Sequence, residues 1–579
     1  MGGANVADGS FFLWSADAPW PGSVPEEFSD EQRMIAALTA EFVRNEILPV
    51  SNDIDAMQPG LMTDLLRKAG ELGLLAPDVP ERWGGMGLDL CTSLLITENV
   101  GAAASFAVTH SDHTALGILP IVLFGNDDQK ARYLPALATG EKIAAYALTE
   151  GSSGSDARAA RTRAALSPDG SHYVLNGTKQ FITNAGIADV FVVYAKVDGD
   201  KLTAFLVDRD SVGLSLGAEE RKLGISGSST RSVVFEDAKV PVENVLLEVG
   251  KGHVVAFNAL NIGRLKLAAQ CVGAAKEALQ RAARYALERA QFGQPIARFG
   301  MIQDKLARMA ALIYVAESMV YRSAARLGDA MATNEGASAI AATVAQHAME
   351  CSMNKVFASE ALDFVADETI QVFGGYGYSQ EYPAERIYRD ARINRIFAGT
   401  NEINRLRVAH ALLAAVQEGR PPAAGNDALV PQRADGPTAR FWDELAAAKA
   451  AVLLVARMAI GRFGDAVQDQ QEILALIADA AIDVYAMESG LLRAARVAEE
   501  RADEDGGPCL AMLRSFANDF VLRVRGRCIE VLLAVTDAEA LVGRVRELDN
   551  LLDRLPENGI EFRRRVAAGV LDAGGYPLG

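Results

Sequence analysis

The sequence predicts a mainly α-helical protein with a central β domain and a further helical domain at its C-terminus. Three observations carry this. Apolar residues recur at helical spacing from Ser29 to about residue 140. Short runs rich in β-branched and aromatic residues replace them between 141 and 248, and long Ala/Leu/Arg-rich segments follow.

Residues 1–27 hold aromatics among Gly, Pro and small polar residues, and read as an irregular arm that docks on another surface. The N-terminal helical domain, 28–140, opens on a capping box, Ser29-Asp-Glu-Gln32, ahead of Ile35, Leu38, Phe42 and Ile47. It continues through Leu61–Leu74, Leu90–Ala103 and Asp127–Leu137, broken by the Pro/Gly-rich Pro77–Gly87. The β domain, 141–248, contains Tyr173–Leu175, Val190–Tyr194, Leu202–Val207 and Ser232–Phe235. Helical segments at 253–291, 301–332, 335–365, 380–390 and 401–417 build a bundle domain, 249–416. The Pro/Gly/Ala-rich stretch 417–438 is a linker. In the last domain, 439–579, Ile473, Leu476, Ile477, Ala480, Ala481 and Val484 lie at helical spacing, and residues 499–507 form an acidic break.

A net charge of −18 argues against nucleic acid as the main partner. The five cysteines lie far apart without ligand spacing, the six histidines are scattered, and so neither a disulfide framework nor a metal site is expected. The N-terminus lacks the pattern of a signal or transit peptide, and no apolar run approaches the roughly 20 residues that span a bilayer. A cytoplasmic protein is the expectation.

Chemistry concentrates in five stretches. Tyr146-Ala-Leu-Thr-Glu-Gly-Ser-Ser-Gly-Ser155 offers glycines and hydroxyls to a phosphate or flat ring, or is a plain surface loop. Lys179-Gln-Phe-Ile-Thr-Asn184 is a strand leading to a turn. Arg289-Ala-Gln-Phe-Gly-Gln294 ends a helix with groups suited to a polyanion, although Gly there is also an ordinary cap. Gln371-Val-Phe-Gly-Gly-Tyr-Gly377 places three glycines between helices. In Arg389–Arg405 a helical run breaks at Ala398-Gly399-Thr400, where Thr400 or Asn401 caps the next helix; such a break either turns a corner or presents free N–H groups to a polarised oxygen.

In order and spacing these five stretches resemble the acyl-CoA dehydrogenase family over about residues 28–416. Asn261-Ile-Gly-Arg264, Phe299-Gly-Met-Ile-Gln303 and the tail Gly575-Tyr-Pro-Leu578 are similar to its longer, very-long-chain branch. The resemblance implies a helical domain, a β-barrel domain and a four-helix bundle holding FAD across a homodimer interface, with electrons passed to an electron-transfer flavoprotein. It places Tyr146, Thr149 and Ser155 along the flavin and its pyrophosphate, and Phe181, Ile182 and Thr183 against the ring. Arg289, Phe292, Gln371, Gly374 and Gly375 of the neighbouring subunit hold the adenosine half, and Thr400 and Glu402 complete the site. The thioester of a long-chain acyl-CoA lies near Ser155, Asn261, Ile262, Gly263, Arg264 and Gly399. Peripheral membrane contact through the C-terminal domain is a further implication.

One position departs from the family. Its usual base is a Glu in Phe-Glu-Gly-Thr, and here the motif reads Phe397-Ala-Gly-Thr400; the alternative base position, before Arg264, is Gly263. The backbone N–H at 398 remains to polarise a thioester carbonyl, while no carboxylate remains to take the α-proton. Three explanations follow: a deliberate base-less variant made to trap ligand, a natural relative doing other flavin chemistry such as a monooxygenase reaction, or a silent acyl-CoA-binding or assembly protein.

Overall fold

The computed structural model describes residues 11–14, 20–334, 336–420, 436–501, 507–553 and 557–578. Residues 421–435 of the expected linker, residues 502–506 of the acidic break and much of the expected arm lie outside the described residues.

The Ser29 hydroxyl accepts from Gln32 N while the Gln32 side chain accepts from Ser29 N, and the helix Asp30–Phe42 starts there. Helices Leu61–Glu71, Leu90–Val100 and Asp127–Ala138 follow. Between the last two runs a helical stretch that no periodicity announces: Ala104–Ser111, the π-helical Asp112–Ile118, and Leu119–Phe124. Nearly all its residues are buried, so no polar face alternates with an apolar one.

The middle of the chain forms eight strands: β1 Ala144–Ala147, β2 Arg163–Leu166, β3 His172–Thr183, β4 Val190–Val197, β5 Lys201–Asp208, β6 Leu214–Leu216, β7 Thr230–Pro241 and β8 Val245–Leu246. They lie in the order β6-β7-β3-β2-β4-β5-β8, with β1 pairing parallel to β4. The β3–β7 register shifts between Lys179 and Ile182, so Phe181 sits on a bulge with φ 58° and projects outward. Phe191, Val193, Phe205, Val207, Val233 and Phe235 fill a core of their own on one face of this sheet.

The bundle consists of Gly252–Glu288, Gly300–Ala332, Ala348–Phe373 and Asn401–Gln417. The single helix expected at 335–365 is divided at His347 into Ala337–Gln346 and Ala348–Phe373, and the second runs on to the edge of the glycine motif. Of five further helices, Ala439–Phe463, Gln471–Arg501, Gly507–Val535 and Gly559–Ala573 pack against the bundle, and Ala538–Leu551 packs on Ala439–Phe463 and Gly507–Val535. Among the described residues no helix is long and apolar enough to cross a membrane.

The described part of the arm docks within its own chain. Phe12 meets Tyr485 edge-on at 5.0 Å, and Phe28, the first residue after the arm, meets Tyr321 at 5.0 Å. A buried polar cluster gathers both ends of the chain. Arg493 donates to Glu26 Oε1 at 2.7 Å and Glu317 Oε2 at 2.6 Å, and the Tyr576 hydroxyl donates to Glu317 Oε2 at 2.9 Å. Lys276 bridges Glu317 and Glu98. Burial opposes the charge on Glu317, but Arg493 and Lys276 outweigh it and lower its pKa.

Candidate active site

The stretch that breaks before the last bundle helix is a helix Pro383–Ala391, a 3-10 turn Arg392–Arg395, and then a loop with φ of 53° at Ala398 and 85° at Gly399. Thr400 is the cap of Asn401–Gln417, its hydroxyl accepting from Ile403 N at 3.3 Å. The carbonyls of Ala398, Gly399 and Thr400 are all tied down. Arg264 Nε donates to Ala398 O at 2.9 Å, Lys355 Nζ to Gly399 O at 2.8 Å, and Asn404 Nδ2 to Gly399 O at 2.8 Å and Thr400 O at 3.0 Å. Among the described residues no acceptor takes the Ala398 N–H, so that amide is left to a bound oxygen. Beside it stands only the half-buried Ala398 methyl. Glu402 is exposed; its own backbone amide and the Thr400 hydroxyl lower its pKa.

Lys355 and Asn404 escaped notice in the sequence. A signal existed for the first: Lys355 is the one cation in the otherwise uncharged run Cys351–Ser359, and the structure buries it fully. Its Nζ also donates to Asn401 Oδ1 at 2.7 Å. Burial, reinforced by the charge of Arg264, lowers Lys355 to about 7. A lysine whose folded pKa lies below its unfolded value is more protonated unfolded between the two. The Lys355 contribution to stability therefore rises with pH from about 7 to about 10.4. Thermal unfolding of Lys355→Met should lose this slope; a slope equal to that of the parent would refute the assignment.

The Tyr146 and Lys179 stretches meet at the sheet edge. Tyr146 is buried in β1 with its ring 5.1 Å from Tyr194. Thr149 is half-buried, and its carbonyl accepts from Gln180 N at 2.9 Å, joining the two motifs; Ser155 is exposed in the loop beyond. Buried Lys179 donates to Leu148 O at 3.1 Å and Glu150 Oε1 at 2.8 Å, and Glu150 also accepts from Arg161 N and Thr162 N. Burial disfavours its charge, but Lys179 and these donors hold Glu150 down at about 2, so it clamps the loop and is no free base. Phe181 is exposed, Ile182 buried and Thr183 half-buried.

Arg289, Gly374 and Gly375 are brought together around a cavity of about 640 Å³ with Tyr285, Tyr376 and Tyr382. Phe292, 94% exposed, and exposed Gln371 lie outside its lining. Nothing lies within 4 Å of a Cβ added at Gly374 or Gly375, so the backbone there is open to close approach.

Asn261–Arg264 does not act as one patch. Asn261 and Arg264 face the 398 loop, with Arg264 Nη1 donating to Asn261 Oδ1 at 2.7 Å. Two residues along a helix turn by about 200°, and Ile262 instead lines a separate cavity of about 470 Å³ with Leu119, Val122, Leu123 and Ala325. A Cβ at Gly263 would stand 3.2 Å from Leu116 Cδ2, so a side chain there displaces Leu116. A further contact passed over in the sequence is the turn Lys222–Ser229: Asp390 accepts from Ile225 N, and Gly224 packs against the Arg389 carbonyl, fixing the sheet to the helix that leads into the loop.

Family models match nearly every part of this architecture. Those for the N-terminal and middle domains of acyl-CoA dehydrogenase match residues 29–141 and 145–238, and two for C-terminal domains match 250–413 and 447–545. A probable acyl-CoA dehydrogenase of Bacillus subtilis is 45% identical over 569 residues, 96% of each chain. The chain belongs to the acyl-CoA dehydrogenase family. The human very long-chain specific acyl-CoA dehydrogenase is 40% identical over 401 residues, 68% of this chain and 59% of that one, which bears out the likeness to the longer branch. A crystal structure of an acyl-CoA dehydrogenase complexed with FAD from Bacillus anthracis superposes with a TM-score of 0.94 at 45% identity, covering 98% of this chain and 100% of that chain. The open backbone at Gly374–Gly375 beside Arg289, the outward Phe181 and the unpartnered Ala398 N–H are consistent with the FAD and thioester of an acyl-CoA dehydrogenase.

Proposed function

We propose that this chain is an FAD-binding acyl-CoA dehydrogenase scaffold that takes a long-chain acyl-CoA thioester and turns it over poorly. One observation carries the reading: the 398–400 loop keeps a free Ala398 N–H with all its carbonyls tied down, while a methyl occupies the place of the family's base. Tyr146, Thr149, Ser155, Phe181, Ile182, Thr183, Thr400 and Glu402 hold the flavin half of FAD. Arg289, Phe292, Gln371, Gly374 and Gly375 of a second copy hold the adenosine half, making a homodimer the working unit. FAD, when bound, supplies the acceptor for the β-hydride.

The protein's own part is to draw the thioester carbonyl onto the Ala398 amide, which acidifies the α-carbon. No group at 398 or 263 then receives the proton. Electrons that do reach the cofactor pass to an electron-transfer flavoprotein. The cytoplasm is the compartment, in keeping with five free, dispersed cysteines. Peripheral membrane contact belongs to the helices beyond residue 439.

The test is an anaerobic titration of the FAD-loaded protein with palmitoyl-CoA. A saturable shift of the flavin absorption without bleaching is expected. Rapid bleaching would mean that another base acts, and failure to retain FAD would end the reading.

A further inference from the structure

Two elements that meet beside the 398 loop stay together and enclose a cavity beyond it. Gly263, on the helix Gly252–Glu288, faces Leu116 of the buried 104–124 stretch, and farther along the same helix Gln270 Oε1 accepts from Ser111 Oγ at 3.0 Å. Cys271 and Ala274 on the helix, with Ser105, Phe106 and Val108 on the stretch, then line a cavity of about 70 Å³, room for several groups the size of a water molecule. Cys271 is seven residues past Arg264, which holds Ala398 O; Leu362, also in the lining, is seven past Lys355, which holds Gly399 O. Seven residues make two turns, about 10 Å, so the cavity lies on the helix faces that hold the loop. Asn394 completes the lining from the loop's own side, four residues before Ala398. It is 5% exposed, its Nδ2 donates to Ala391 O at 3.0 Å, and among the described residues its Oδ1 has no partner. The charged residues of the lining, by contrast, are answered: Asp55 by the Ser105 hydroxyl, Asp390 by Ile225 N, Glu277 and Arg281 by each other, and Arg386 by Asn52 Oδ1. A buried acceptor left open is costly, and this one waits for a donor.

We propose that this cavity takes the far end of the acyl chain and that Asn394 Oδ1 accepts a hydrogen bond from a hydroxyl there, so that the substrate class is a CoA thioester with a hydroxyl-terminated chain. This rests on the acyl-CoA reading above. An alkyl end leaves the Asn394 oxygen stranded. A carboxylate end meets Asp55, Glu277 and Asp390, with Arg281 and Arg386 already engaged. A hydroxyl brings the donor that is missing and no charge.

The full-length, FAD-loaded protein is titrated by calorimetry with decanoyl-CoA, ω-hydroxydecanoyl-CoA and the length-matched ω-carboxynonanoyl-CoA, and with hexanoyl-CoA and ω-hydroxyhexanoyl-CoA. ω-Hydroxydecanoyl-CoA is expected to bind about tenfold tighter than decanoyl-CoA, the worth of one buried hydrogen bond, and the carboxylate to bind most weakly of the three. The hexanoyl pair should gain nothing from the hydroxyl, because that chain stops short of Asn394. Asn394→Leu removes the preference and leaves decanoyl-CoA bound at least as tightly. Equal binding of the decanoyl pair means that water alone meets Asn394, and it overturns the subsite. So does tightest binding by the carboxylate, the same preference in the hexanoyl pair, or a preference that survives Asn394→Leu. The chain-length comparison decides the matter even if that variant does not fold. Failure of every thioester to bind brings down the acyl-CoA reading and the subsite with it.

Discussion

Replacing Ala398 with glutamate is expected to raise acyl-CoA-dependent dye reduction by about 10²–10⁴-fold, the range a positioned general base contributes. The backbone needed for this residue is already in place. Ala398 holds φ at 53° although a left-handed conformation is uncommon for a residue with a Cβ, and Arg264 fixes its carbonyl at 2.9 Å. A carboxylate added here hangs from a loop that needs no rebuilding. The corresponding change at Gly263 should do less, because its Cβ starts 3.2 Å from Leu116 and must first displace that side chain. The measurement is steady-state reduction of an artificial acceptor with palmitoyl-CoA, parent and variants side by side. An Ala398→Glu protein that binds palmitoyl-CoA and FAD normally yet shows no gain would mean that the deficit is not the missing base.

Arg493→Met is expected to destabilise the protein by about 3–5 kcal/mol, the cost of stranding a buried charge. Arg493 is 1% exposed and answers Glu26 and Glu317 together, with Tyr314 4.8 Å beneath its guanidinium. Removing it leaves Glu317 with Lys276 and the Tyr576 hydroxyl, and Glu26 without its guanidinium partner. Thermal unfolding gives the readout, and adding Glu26→Gln to the same protein should recover part of the loss. An unchanged midpoint in the single variant would show that water or another cation takes over. The cluster also bears on any truncation at residue 439, which deletes Arg493 and Tyr576 and strips two partners from Glu317.

How much of this was readable beforehand follows from the kind of pattern each part leaves. The Ser29 capping box and the β-rich runs from 173 to 235 are local, and the helix and strands they announce are present. The helical stretch from 104 to 124 left no trace, because a helix buried on all sides has no polar face to mark its period. The family could be recognised because its motifs keep their order, yet the groups that hold the 398 loop come from elsewhere. Lys355 lies 44 residues before Gly399 and Arg264 lies 134 before Ala398, separations at which spacing carries no information. Ile262 shows the converse: adjacent in sequence to a site residue, it is turned by helical geometry to another cavity.

The cluster that joins Glu26, Glu317, Arg493 and Tyr576 imposes an order on synthesis. Glu26 and Glu317 leave the ribosome well before Arg493 and Tyr576. Until the C-terminal helices emerge, Glu317 has only Lys276 to hold its charge, and the faces of the bundle that they will cover are wet. The nascent bundle is thus complete in sequence but unfinished electrostatically, and contacts spanning more than 450 residues are slow to close. The helices that carry Arg493 and Tyr576 thus act as a clasp on the bundle, and Glu317 gains its second cation only when they close.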